Sequence, residues 1–141
     1  MGKLDYMNKS FISILKYGLK GGVMAAILNL IIFELAFRVF DVGFNVVLGG
    51  VPSVVAEWNV IVASIIPSLV ASVIYFLLVK KTSKPDKIFR ILAVVFLLFS
   101  FGGPFTMASA LSDKLVLGLM HIVAAFEITK SLTHDSKRSL V

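Results

Sequence analysis

At 141 residues, 58% of them hydrophobic, and with a mean hydropathy of +0.96, the chain is too apolar for a soluble domain, in which roughly 45–50% of residues are apolar. The absence of cysteine excludes disulfides, thiolate metal sites and cysteine nucleophiles. A net charge of +6 is compatible with a nucleic-acid partner, but the cations stand at the ends of apolar runs, as membrane anchors do.

Residues 1–20 read as a basic amphipathic lead-in. Leu4, Met7, Phe11 and Leu15 recur at helical spacing, and Lys9, Lys16 and Lys20 cluster on another face. Such a segment lies in the headgroup layer of anionic lipid. No small-x-small cleavage site appears before Arg38, so the expectation is an uncleaved anchor. Tyr6 stands where a myristoylation signal needs Ser or Thr.

The first span is predicted over 18–37. Gly18, Gly22 and Ala26 make a small-residue stripe that permits close helix approach. Asn29 lies nine residues before Arg38, about 13 Å along a helix. Glu34 and Arg38 are four apart and are expected to pair at the outer end of the span. Residues 39–57 are broken by Gly43, Gly49, Gly50 and Pro52 yet strongly apolar. They read as an outer interfacial cap with a short helix opening at Pro52-Ser53, or as a re-entrant hairpin covered by protein.

The second span is predicted over 58–79, with Trp58 and Tyr75 as boundary aromatics and Lys80-Lys81 as its stop. Ser64, Ser68 and Ser72 form a second small-residue stripe beside Pro67. After the basic loop KKTSKPDKIFR comes a third span over 88–107, with a kink or unwound exit expected at Gly102-Gly103-Pro104. Ser112-Asp113 is read as the N-cap of the fourth span, 114–130. The fold class is therefore all-α: a polytopic bundle of four transmembrane helices in one domain, 1–141, behind an N-terminal amphipathic lead-in.

Topology follows from the cations. Residues 1–20 hold four Lys or Arg, 80–90 hold five and 130–141 hold three, against only Arg38 and Lys114 on the opposite side. Both termini are expected in the cytoplasm of a multi-pass plasma-membrane protein.

Asn29, Ser68, Ser100 and His121 fall at similar depth, one on each span. An ionisable group at mid-membrane is costly and needs a partner. His121 shares a small-residue face with Gly118 and Ala125, so it is expected to turn inward and bond another span, directly or through a water. Two readings of this layer stand. In one, the four residues are packing glue. In the other, they form a small-ligand or proton site in which His121 titrates. Glu127 reads as a snorkelling end charge and His134 as a surface histidine of the polar tail.

No metal-ligand cluster, Ser-His-acid motif or phosphate loop is present in the sequence, so neither an enzyme nor a cofactor is expected. The leading reading is a non-enzymatic module that packs with itself, with a membrane partner or with a lipophilic molecule. A small proton- or ion-coupled transporter or channel built around His121 is the alternative. The lipid bilayer is the one obligatory partner, and nucleic acid is not expected.

The run from Phe89-Arg90 through Ser100 and Pro104 to Met120-His121 and Val123-Ala124-Ala125 resembles a bacterial family of small four-helix membrane proteins of unknown function, DUF6069. The resemblance implies a proline after the third helix, a Met-His pair in the last, and a bacterial inner-membrane location. It implies no activity.

Overall fold

A computed structural model of the chain describes residues 11–135. Leu4, Met7 and Lys9 of the lead-in, and Lys137 and Arg138 of the tail, lie outside them. The fold is all-α, a four-helix bundle. Helix α1 spans Phe11–Phe40, a hairpin of β1 (Asn45–Leu48) and β2 (Val51–Val54) follows, and α2 spans Glu57–Lys81. Then come α3 (Pro85–Ser100), the short α4 (Gly102–Met107) and α5 (Leu111–Lys130), which runs on into a π-helical turn, Ser131–Asp135. The stretches Phe11–Phe40, Glu57–Lys81, Pro85–Met107 and Leu111–His134 are each long and apolar enough to cross a membrane.

At 30 residues, α1 is about 45 Å long, well beyond a hydrocarbon core of about 30 Å. The described half of the lead-in, from Phe11 to Lys20, is therefore continuous with the first span. Helix α2 begins after Ala56, whose N–H donates to the Asn59 side chain at 2.8 Å. Helix α3 begins at Pro85, where a missing N–H costs nothing. It breaks at Phe101 because Pro104, four residues after Ser100, has no N–H to offer the Ser100 carbonyl.

The fourth span starts earlier than the sequence suggested. Ala110, not Ser112-Asp113, is the N-cap of α5. Asp113 stands three residues further on and accepts the Ala110 N–H at 3.4 Å.

Residues 41–56 hold no helix. They form a hairpin in which Leu48 pairs with Val51 across Gly49-Gly50, at φ of +57° and +84°. A two-residue turn of this hand needs positive φ at both central positions, which glycine adopts without a steric penalty. Val46 also bridges Ala108, and the Ser109 N–H donates to the Asn45 carbonyl at 2.9 Å. The hairpin is thereby tied to the link between α4 and α5.

Helix α1 is the centre of the bundle. It packs closely on α2 and on α5, whereas α3 touches α2 and α5 more lightly. Two glycine faces on α1 explain this. A Cβ at Gly22 would stand 2.7 Å from the Ser68 Cβ, and one at Gly18 would stand 3.0 Å from the Ser68 carbonyl of α2. A Cβ at Gly21 would stand 2.9 Å from the Ile128 Cα of α5. Such approach is what small residues provide in lipid, where close packing replaces the hydrophobic effect as the driving force.

Buried apolar side chains form two clusters, one toward each end. At the hairpin end, Phe33, Phe44, Val60, Leu117 and Met120 pack together. At the other end, which carries Lys80, Lys81 and Arg90, the core is Ile14, Tyr75, Val79, Phe89, Ile128 and Leu132.

Candidate functional site

The level between those cores is where the sequence placed a polar layer. There Asn29, 4% exposed, extends its Nδ2 to the Met120 carbonyl of α5 at 3.1 Å and to the Ser64 Oγ of α2 at 3.4 Å. The carbonyl can only accept, so the amide nitrogen must be the atom that faces it. Asn29 Oδ1 is buried without a hydrogen-bond partner among the described residues.

The other three expected members do not join this contact. Ser68 is fully buried against Gly22, and its hydroxyl donates to the Ile65 carbonyl of its own helix at 2.7 Å. Ser100 likewise bonds the Leu97 carbonyl at 2.7 Å. The His121 Nδ1 stands 2.7 Å from the Leu117 carbonyl, again within one helix. Among the described residues, no direct hydrogen bond joins His121 to another span.

The buried residues of α5 include Asp113, Leu117, Met120 and Ile128, and α5 packs on α1. His121 lies roughly 100° round from Met120 and about 20° from Ile128, at the edge of that face, where it is half-buried. The Asn29–Met120 contact therefore passes one residue from the histidine without using it.

At the hairpin end, Arg38 donates to Glu34 on the exposed surface of α1. Asp113, 1% exposed, has a role beyond the helix start expected of it. Its Oδ1 accepts the Phe44 N–H at 3.1 Å and its Oδ2 the Asn45 N–H at 3.2 Å. A carboxylate at a helix N-terminus is already favoured by the helix dipole. Here it also fixes the strand entry, where Phe44 takes φ of +50° and stacks on Phe33 at 4.2 Å between centroids. An aspartate in a first helical turn is visible in sequence, but its donors lie nearly seventy residues earlier.

The small-residue face of α5 has a different consequence from the one expected. Gly118 and Ala125 turn toward α3, and a Cβ at Gly118 would meet only the Phe101 ring, at 3.7 Å. Further along, Ala125 and Ala93 of α3 both line a groove of about 590 Å³ between the two helices. Such a volume is ordinary for a small-molecule site. On α1 and α2 the small residues close the gap between helices, whereas between α3 and α5 they leave it open.

The groove walls are Ala93, Val94, Leu97, Ile122, Ala125 and Phe126. Its mouth, at the basic end, is made by Arg90, Lys130, Thr129, Thr133 and His134. The Arg90 Nη2 lies 3.4 Å from the Thr133 Oγ1, and that hydroxyl donates to the Thr129 carbonyl at 2.9 Å. The Lys130 Nζ is 3.9 Å from Glu127 and 5.9 Å from the Phe126 ring centre. Among the described residues, no three His, Asp or Glu side chains come together as a metal site would require.

Residues 12–138 match the model of a family of unknown function, DUF6069. The chain belongs to this family. No curated protein and no solved structure matches it. The match covers almost the whole chain, including all four long apolar helices. It assigns no chemistry to the groove, so the residues that line it carry the functional argument.

Proposed function

We propose that this protein is a non-catalytic, multi-pass membrane module that holds a lipophilic molecule in the groove between α3 and α5. The observation that carries the reading is the groove itself, apolar along its length and polar only at its mouth. Apolar walls with a few convergent polar groups are the usual anatomy of a ligand site. A rigid frame supports it: α1 is locked to α2 and α5 by glycine contacts, while α3 is the helix most lightly held.

The cations Lys80, Lys81, Lys84, Lys87, Arg90 and Lys130 stand at one end of the bundle, and Arg38 and Lys114 at the other. That asymmetry supports an inner-membrane orientation with both termini in the cytoplasm. With no native cysteine to interfere, Gly49→Cys should label from outside the cell and Lys84→Cys only after permeabilisation. Labelling of Lys84→Cys in intact cells would overturn the orientation.

The groove is tested by native mass spectrometry of the full chain extracted in a mild neutral detergent without added lipid. The wild type should retain a lipophilic adduct, and Ala93→Trp with Ala125→Trp, which fills the groove, should lose it. Equal retention by both proteins would contradict the reading.

A further inference from the structure

We propose that the occupant of the groove is an anionic phospholipid, with its phosphate held between Arg90 and Lys130 and an acyl chain laid between α3 and α5. The inference rests on the groove being a lipophile site and adds the charge and orientation of what fills it.

Three observations point this way. The first is the order of chemistry along the groove. Arg90 lies in the second turn of α3 and Lys130 is the last residue of α5, so both stand at the membrane edge of their helices. Arg90 to Leu97 and Lys130 to Ile122 each span roughly 10–12 Å along their helices, and below Arg90 and Lys130 the side chains that line the groove between them carry no charge. A phospholipid of the adjacent leaflet has the same order, with charge at the edge and hydrocarbon beneath.

The second is the sign of the mouth. Arg90 and Lys130 are both exposed there, and Glu127, 3.9 Å from Lys130, offsets part of the charge. Basic sites between transmembrane helices are where anionic headgroups bind. The third is the positioning of Arg90. The Thr133 hydroxyl, 1% exposed, holds one guanidinium nitrogen at 3.4 Å. A planar guanidinium has five N–H donors, so others remain on the same fork to meet phosphate oxygens in pairs.

The test is a titration of the detergent-solubilised full chain with dioleoylphosphatidylglycerol or dioleoylphosphatidylcholine, read as bound lipid by native mass spectrometry. The wild type should favour the anionic lipid by about fivefold for each cation engaged. Arg90→Gln with Lys130→Gln should abolish that preference while binding of the zwitterionic lipid persists. Lys80→Gln with Lys81→Gln removes two charges at the same end but outside the groove and should leave the preference intact.

Equal binding of the two lipids by the wild type would overturn the proposal. So would a preference that survives Arg90→Gln with Lys130→Gln, or one lost equally with Lys80 and Lys81. Those results leave the groove reading standing if Ala93→Trp with Ala125→Trp still blocks both lipids. Unimpaired binding of both lipids by that variant would remove both the proposal and the groove reading. Should the double tryptophan variant fail to fold, Val94→Trp at an exposed wall position serves as the blocking variant, read in the same way.

Discussion

The side-chain amide of Asn29 meets the backbone carbonyl of Met120 at 3.1 Å, across 91 residues of sequence and one position before His121. It is the polar contact that joins α1 to α5 between the two apolar cores. It makes Asn29 and Ser64, rather than Asn29 and His121, the coupled side chains of the bundle interior. A double-mutant cycle of Asn29→Ala and Ser64→Ala should give a coupling of about 0.6 kcal/mol, the usual size for such pairs in lipid. The cycle of Asn29→Ala and His121→Leu should give a coupling of about zero. Thermal unfolding in detergent supplies both values. A larger coupling to His121 than to Ser64 would contradict this assignment.

The glycines of the bundle should differ in sign. Replacing a helical glycine by alanine is ordinarily worth about 0.5–1 kcal/mol in favour of the helix. At Gly118, where the added carbon meets only a ring at 3.7 Å, that gain should be realised. At Gly21 the added carbon would stand 2.9 Å from a backbone Cα of α5, so the helices must move apart. Gly21→Ala should lose about 1–3 kcal/mol, the cost of overpacking. Melting temperatures of the two variants should move in opposite directions.

Asp113 should hold the hairpin. Asp113→Ala leaves the Phe44 and Asn45 N–H groups without their acceptors, at about 1–3 kcal/mol for each one that stays buried. Asp113→Asn retains one acceptor oxygen and should cost less. Hydrogen exchange of the Phe44 and Asn45 amides should accelerate in Asp113→Ala, while the amides of α2 stay protected. Unchanged exchange at those two positions would show that the hairpin is held by other contacts.

The four spans were legible because lipid selects for continuous apolar length, a property of sequence alone. The Glu34–Arg38 contact could be foreseen for a similar reason, since four residues on one helix fix a distance. The hairpin had a signal in Gly49-Gly50 between Val47-Leu48 and Val51, outweighed by the unusual apolarity of the surrounding loop. Asp113 was visible as a residue but not as a contact, because nothing local reports that Phe44 brings its N–H to that point. What His121 meets depends on azimuth, which sequence reports poorly. The face bearing Gly118 and Ala125 was real, but whether a small-residue face admits a helix or leaves a groove depends on what opposes it. Opposite Gly22 stands Ser68, in close contact, whereas Ala125 and Ala93 line a space that stays open.

The central claim is that this space is occupied in the membrane, and the most direct test is an experimental density map of the protein in nanodiscs of mixed phosphatidylglycerol and phosphatidylcholine. The account predicts one elongated density between Ala93 and Ala125, better ordered than the surrounding lipid, with its headgroup within hydrogen-bonding reach of Arg90 and Lys130. Helix α3 closed against α5 with no density between them would contradict it.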